Sequence, residues 1–288
     1  MRLARAVAVA WAALALVPAS LRAGISVAPA FVEVALDQGR ATGRFEIANL
    51  GDTEERYRLR ALHFRFSRSG DLQRLPPDEQ SLASWIKFNP AELTVPPKSS
   101  RVIRFVIVPR RPLPPGEYWG AMELENLTRQ AAQAADESGH EYKVEVVTSV
   151  LVPIFGTVGQ VRYAGTFDEL HADRDEKGPR LEVLLTNRGT GRLLVKGTYE
   201  IVTAAGEVVE TAELGYAYVL PGEERVFSAH VKASLPEGSY TVRVRYEVPQ
   251  LEQPLERETA LAVGPSPPAA ESAASAGAAT QVALQPSP

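Results

Sequence analysis

Apolar and polar side chains alternate at every second position through the middle of the chain. Because side chains of a β-strand point to opposite faces in turn, this spacing predicts half-buried strands. Gly and Pro turn signals separate these segments, and no helical stripe longer than two turns follows the first 23 residues. The pattern predicts an all-β chain. The predicted strands carry Phe45, Ile47 and Asn49; Tyr57, Leu59 and Ala61; Tyr118, Gly120, Met122 and Leu124; and Tyr142, Val144 and Val146.

Three sequence landmarks occur twice, in the same order, in the two halves of the chain. A Gly turn that leads into Tyr is what the tyrosine corner of an immunoglobulin-like sandwich requires. Two copies of one topology therefore predict two immunoglobulin-like β-sandwich domains in tandem. The landmarks are an Asn-x-Gly turn, a Val-x-Pro-x-x-x-Arg-Val motif and a Pro-x-Gly-x-Tyr turn, at Asn49, Val95 and Tyr118 in the first copy and at Asn187, Val219 and Tyr240 in the second.

The first predicted strand changes its apolar face partway along. Ile25 and Val27 share one parity, whereas Val32 and Val34 share the other, and Pro29 lies near the change. A strand that passes from one sheet of a sandwich to the other shows this pattern, and a kink tolerates the proline.

Both ends of the chain differ in composition from the middle. Arg2 and Arg5 precede an apolar run that ends in small residues, which is typical of a secretory signal peptide over residues 1–23. Residues 264–288 are rich in Pro, Ala and Ser and predict a disordered tail. The expected domains are then residues 24–157 and 158–263. We expect a periplasmic protein with no membrane-spanning segment.

Composition excludes several kinds of chemistry. The chain has no cysteine and four histidines, which leaves little material for a thiolate, a disulfide or a His-based metal centre. No catalytic motif is present, so we expect neither an enzyme nor a cofactor. Loss of the three arginines of the signal peptide would lower the formal net charge from −4 to −7, which argues against nucleic acid as a partner.

Three arginines, Arg56, Arg58 and Arg60, lie at alternate positions of one predicted strand. A ladder of like charges costs energy unless water or carboxylates neutralise it. One interpretation is a water-facing sheet surface paired with Glu54 or Glu55. The other is a surface for an acidic partner.

From about Ile25 to Phe155 the sequence resembles the periplasmic pilus-assembly chaperones of the PapD-like superfamily. In that family a signal peptide precedes two immunoglobulin-like domains, as the internal repeat also predicts. The matching segments are Ser26–Pro29, Phe45–Asn49, Trp85–Pro90, Pro115–Tyr118 and the long strand Tyr142–Phe155.

The resemblance implies a mechanism of strand donation. Such a chaperone lends alternating side chains of its last first-domain strand to a subunit whose own sandwich lacks a strand. The alternative is that the same side chains face the core of their own domain. By position, the donated side chains would be Tyr142, Val144, Val146, Thr148 and Val150.

The chain departs from the family at the residues that anchor the subunit. The family holds the terminal carboxylate of the subunit with a basic pair, and here those positions fall at about Phe31 and Leu151. Neither side chain can bind a carboxylate. We therefore expect docking through apolar contact and backbone pairing.

The resemblance implies a chaperone-like protein whose partner is a fimbrial or surface-structure subunit, with an outer-membrane usher as a second partner. The rival interpretation is a secreted structural or adhesion module that binds a surface partner without releasing it. Neither interpretation requires a metal or a cofactor.

Overall fold

The computed structural model describes residues 24–128, 130–135, 141–146 and 148–264, without the side chains of 130–135 and 141–146. The expected signal peptide lies outside the described residues, as does nearly all of the expected tail. None of the described residues form a helix of the length and hydropathy that a membrane crossing needs. The described chain divides into two compact units, the first containing residues 24–164, 187–192 and 220–223, the second 165–186, 193–219 and 224–264.

The first unit is a sandwich of two sheets. A back sheet has the strand order β1-β3-β8-β6, and a front sheet has the order β2-β12-β9-β4-β5, with β7 pairing β4. The strands β10 and β11 form a separate two-stranded hairpin. The strands are β1 (Ile25–Ala28), β2 (Val32–Ala35), β3 (Ala41–Asn49), β4 (Glu55–Phe66), β5 (Leu72–Leu75), β6 (Ile86–Phe88), β7 (Glu92–Val95), β8 (Ser99–Ile107), β9 (Gly116–Asn126), β10 (Gln130–Ala135), β11 (Glu141–Val146) and β12 (Ser149–Val158), with one 3₁₀ turn at Ala83–Trp85.

The first predicted strand crosses between the two sheets, as its change of apolar face indicates. Its first half, β1, pairs antiparallel with β3 in the back sheet. Its second half, β2, runs parallel to β12 in the front sheet, with Val32 opposite Ile154 and Ala35 opposite Thr157. Pro29 lies in the bend between the two halves. The prediction of a sheet-crossing strand is confirmed.

The strand β9 differs from the sequence prediction of a half-buried strand. Met122 and Leu124 lie in the core between the two sheets, as predicted. Trp119 and Ala121, which point to the opposite face, are equally buried, both at 0% exposure. The front sheet therefore carries apolar packing on both faces.

The second unit is also a sandwich, with a single apolar core. Its sheets have the orders β13-β14-β17 and β16-β15-β18-β19. Both sheets contribute to the core, which includes Leu181, Ile201, Val242 and Tyr246. The strands are β13 (Gly165–Asp175), β14 (Gly178–Asn187), β15 (Leu193–Thr203), β16 (Val208–Val219), β17 (Glu224–His230), β18 (Gly238–Glu247) and β19 (Leu255–Val263).

Two of the three repeated landmarks adopt the same local structure in both copies of the repeat. The Tyr118 hydroxyl donates to the Pro114 carbonyl at 2.9 Å, and the Tyr240 hydroxyl donates to the Pro236 carbonyl at the same distance. These are two equivalent tyrosine corners. The side chains of Asn49 and Asn187 likewise each accept a hydrogen bond from the glycine amide two residues on. The all-β, two-sandwich prediction is confirmed.

Candidate functional site: the β12 edge and the outer cluster

The strand β12 has one edge that is only partly covered. Along its whole length it pairs antiparallel with β9, with Ser149 opposite Glu125 and Val158 opposite Gly116. On its other edge β2 pairs only with residues from Ile154 to Thr157. In the described part of the chain, no strand pairs with residues 149–153 on that side. An edge of this kind can accept a strand from another chain.

The long strand predicted from Tyr142 to Phe155 is two strands in the structure, which corrects the sequence interpretation. The segment β11 pairs with β10, and β12 pairs with β9. Continuing the β9–β12 register would place residue 128 opposite Val146, but Gln130 lies there instead. The register therefore shifts by two residues between the two hairpin segments.

The side chains predicted for strand donation fall on both segments. Tyr142, Val144 and Val146 belong to β11, and their side chains lie outside the described residues. Thr148 precedes β12 and is exposed, whereas Val150 is half-buried on β12. Whether these side chains enter a partner or their own core stays a prediction.

Phe31 and Leu151, where the resemblance predicts the anchor positions, lie together in an apolar cluster. This outer cluster covers the face of the front sheet that points away from the core. The ring centroids of Phe31 and Phe155 are 6.3 Å apart in an edge-to-face arrangement. The cluster contains Phe64, Trp119, Ala121, Phe155 and Leu220 as buried members and Phe31, Leu62, Phe66 and Leu151 as half-buried ones.

A buried arginine that the sequence analysis missed packs against the outer cluster. The Arg192 guanidinium lies 3.8 Å from the ring centroid of Phe155, a cation–π arrangement. It forms ion pairs with Glu117 and Glu33, and its backbone amide donates to Glu117 at 2.7 Å. Burial raises the pKa of the Glu117 carboxyl, although the charge of Arg192 acts in the opposite direction. The positive charge beside the Phe31 and Phe155 rings is therefore already neutralised by two carboxylates.

A second arginine covers the other end of the outer cluster. The Arg65 guanidinium lies 5.1 Å from the Trp119 ring centroid and donates to Asp78 at 2.9 Å. The indole nitrogen of Trp119 donates to the Phe64 carbonyl at 2.8 Å, so this buried ring is fully hydrogen-bonded. The backbone amide of Phe66 donates to the Glu223 carboxylate at 3.0 Å. Hydrogen bonds and ion pairs thus fix the border of the cluster.

The arginine ladder is paired, but with different partners from those expected. Arg56 and Arg58 both pair with Glu92, at 2.6 and 3.0 Å, and Arg60 pairs with Glu125 at 3.3 Å. Both carboxylates belong to neighbouring strands of the front sheet. Glu55 instead accepts a hydrogen bond from the side-chain amide of Asn126 at 2.7 Å. The expectation of Glu54 or Glu55 as the partner was wrong, because cross-strand neighbours lie closer than sequence neighbours on the same face.

Several solved structures of similar fold are fimbrial chaperones. The chain is 16% identical to the Pseudomonas aeruginosa CupB2 chaperone, a match that covers 80% of this chain and 97% of that one with a TM-score of 0.41. It is 10% identical to the YadV chaperone, covering 82% and 99% of the two chains with a TM-score of 0.46.

A third match is a chaperone solved together with a subunit. This is the CsuC–CsuE chaperone–tip adhesion subunit pre-assembly complex of Acinetobacter baumannii, at 12% identity, 82% and 98% coverage and a TM-score of 0.43. No family profile and no curated protein sequence matches the chain.

Proposed function

We propose that the chain is a periplasmic chaperone-like protein that binds fimbrial or surface-structure subunits by lending them the strand edge of β11 and β12. The observation that carries this proposal is the edge of β12 from residue 149 to residue 153, which no described strand covers. Backbone groups on an open edge gain free energy when a further strand pairs with them.

The sequence of the lent strand supports the same role. Tyr142, Val144 and Val146 alternate with polar residues, as a strand needs when one of its faces fills an apolar groove. Val150 continues this series on β12 and is half-buried in the isolated chain. A subunit that supplied the missing partner strand would bury such side chains further.

The residues proposed to anchor the subunit are apolar here, whereas the chaperones that the sequence resembles use a basic pair. Phe31 and Leu151 are half-buried members of the outer cluster, and Arg192 beside them pairs with Glu117 and Glu33. We therefore propose that apolar packing and backbone pairing hold the subunit, without an ion pair to its terminal carboxylate. A subunit with an amidated C-terminus should bind as tightly as the free acid.

The decisive experiment compares Val144→Asp and Val146→Asp with Val209→Asp. Val209 is an exposed valine on β16 of the second unit and serves as the matched control. Each variant is co-expressed with surface subunits encoded in the same gene cluster, and capture is measured by co-purification. Loss of capture by the two β11 variants, with unchanged circular dichroism, is the expected result.

Two other outcomes would contradict the proposal. Unfolding of the first unit by either β11 substitution would show that the side chain belongs to its own core, because a buried unpaired carboxylate costs several kcal/mol. Unchanged capture would show that β11 is not the strand that is lent.

Release of the bound subunit distinguishes a chaperone from an adhesion module. A chaperone should give up its subunit to a synthetic peptide that carries the donor strand of the next subunit. A module that keeps its partner under the same challenge would support the rival function instead.

A further inference from the structure

The outward face of the back sheet of the first unit holds an open groove of about 850 Å³. Side chains on β3, β8 and β6 line it, on the face opposite to buried Phe45 and Ile103. Three of the lining side chains are cations, namely Arg44, Lys87 and Arg104. The groove belongs to a different sheet from β12 and is independent of strand donation.

The cations of the groove stand in positions that repel one another. Arg44 and Arg104 are directly opposite each other on β3 and β8. Lys87 lies on the other side of β8, opposite Val106. Like charges placed opposite each other on one sheet face destabilise the pair. An arrangement of this kind gains free energy when an anion binds between the cations.

These cations differ from the arginine ladder of the front sheet. In the described residues, none of the three forms an ion pair, and Lys87 donates only to the Ser84 carbonyl at 3.3 Å. By contrast, Arg58 on the front sheet pairs with Glu92. Glu46, one position further along the face of β3, lies opposite Val102 and makes no ion pair with the groove cations. The groove thus keeps a local excess of positive charge on an acidic protein.

Apolar surface lies between the charges. Val106 is half-buried and lines the groove together with the cations, whereas the Phe88 ring packs against the core on the other face of the sheet. Val102, two positions before Arg104 on the same face of β8, is 44% exposed and extends the apolar strip. A simple anion would leave this surface in water, whereas a peptide that carries an apolar side chain would cover it.

We propose that the groove binds an acidic peptide segment of a partner protein. Carboxylates of the segment pair with Arg44, Arg104 and Lys87, and an apolar side chain packs on Val106. Charge favours a short segment over an extended anionic surface. The chain as a whole carries a formal net charge of −4, so a polyanion or an acidic membrane would also meet its negative regions.

The test uses the full chain and a fluorescein-labelled peptide of about ten residues, with glutamates and two leucines among serines. Its twin carries glutamine at each glutamate position. Fluorescence anisotropy should show binding of the acidic peptide alone, weakening as salt rises from about 50 to 300 mM. The double variant Arg44→Ser with Arg104→Ser should bind about tenfold more weakly or worse. Arg243→Gln on the second unit, also an exposed arginine on a strand, is the control and should bind normally.

Several results would overturn the proposal. These are equal binding of the two peptides, unchanged affinity of the double variant, and absence of binding at low salt. Stronger binding to phosphatidylglycerol vesicles than to the acidic peptide, with loss in the same double variant, would assign the groove to a lipid surface. Concentration-dependent self-association abolished by the double variant would assign it to a second copy of the chain.

Discussion

The two strands that carry the corner tyrosines, β9 and β18, occupy the same place in the repeat but differ in burial. In β9, which follows the corner of Tyr118, every residue except Glu125 is buried. In β18, which contains Tyr240, buried residues alternate with exposed or half-buried ones. One topology thus supports a sheet with two covered faces in the first unit and a sheet with one covered face in the second.

What lies on the second face explains the difference. In the first unit the outer cluster covers that face, and Arg65 and Arg192 pack against its aromatic rings. In the second unit the corresponding face of β18 carries Arg243, which pairs with Glu258 in water. The additional apolar layer in the first unit lies directly behind β12, the strand with the open edge. A strand supported on both faces can keep its geometry while one edge is unpaired.

The largest expected effect on stability comes from the position at which β9 and β18 differ most in burial. Trp119 is fully buried, and its repeat counterpart is Thr241, a half-buried residue. Trp119→Ala should lower the free energy of unfolding of the first unit by roughly 3–5 kcal/mol, because it leaves a cavity and an unpaired Phe64 carbonyl. Thr241→Ala should change the second unit by about 0.5 kcal/mol or less.

Urea unfolding followed by tryptophan fluorescence measures the first substitution, because Trp85 remains as a reporter in the first unit. Urea unfolding followed by circular dichroism measures the effect of Thr241→Ala on the second unit. Equal effects of the two substitutions would show that the outer cluster adds little to the first unit.

The sequence predicted the features that depend on neighbouring positions. The alternation around Phe45 and Ile47, the face change at Pro29 and both tyrosine corners follow from local spacing and turn chemistry, and all are confirmed. The double burial of β9 had a sequence signal that was not used, since Trp119 is apolar at the parity assigned to water.

Other features have no local signal. Arg192 meets Glu117 only after the chain has folded, and neither residue stands in a recognisable motif. The Glu92 and Glu125 partners of the arginine ladder depend in the same way on strand order and register. Charge partners across a sheet are set by tertiary structure, so a single sequence indicates that a charge needs a partner but not which one.

The second unit has a stabilising contact of its own, a carboxylate that accepts several hydrogen bonds, and this contact gives the next prediction. Glu210 accepts hydrogen bonds from the Tyr199 hydroxyl and from the backbone amides of Lys232 and Ala233. Burial opposes ionisation, but these donors outweigh it, and the pKa of Glu210 lies below its ordinary value of 4.5. Glu210→Gln should destabilise the second unit by about 1–3 kcal/mol at neutral pH.

The sign of the pH dependence follows from the lowered pKa. The stabilisation by Glu210 is fully present above pH 4.5, its ordinary value, and is lost as the pH falls through the lower pKa of the folded state. Thermal melts between pH 3 and pH 7 should therefore show a shallower acid loss for Glu210→Gln than for the parent chain. Parallel curves would show that the carboxylate does not contribute to acid sensitivity.

The tyrosine corners should respond equally, in contrast to the strands that follow them. Tyr118→Phe and Tyr240→Phe each remove one hydroxyl that donates to a backbone carbonyl at 2.9 Å. We expect a loss of about 1 kcal/mol from the unit concerned in each case. Differential scanning calorimetry of both single variants measures this. A several-fold difference between them would show that the two corners are not equivalent in energy.

The smallest effect is expected on the open face of β18. Arg243 and Glu258 pair at 2.9 Å, but their side chains are 50% and 60% exposed, so water and salt screen their attraction. Arg243→Gln should change the stability of the second unit by about 0.5 kcal/mol or less, and less still at high salt. Chemical unfolding at low and high salt, with Glu258→Gln measured in parallel, tests this. A loss above about 1 kcal/mol that persists in high salt would mean that this face is covered in solution. The contrast between a two-faced first sheet and a one-faced second sheet would then no longer hold.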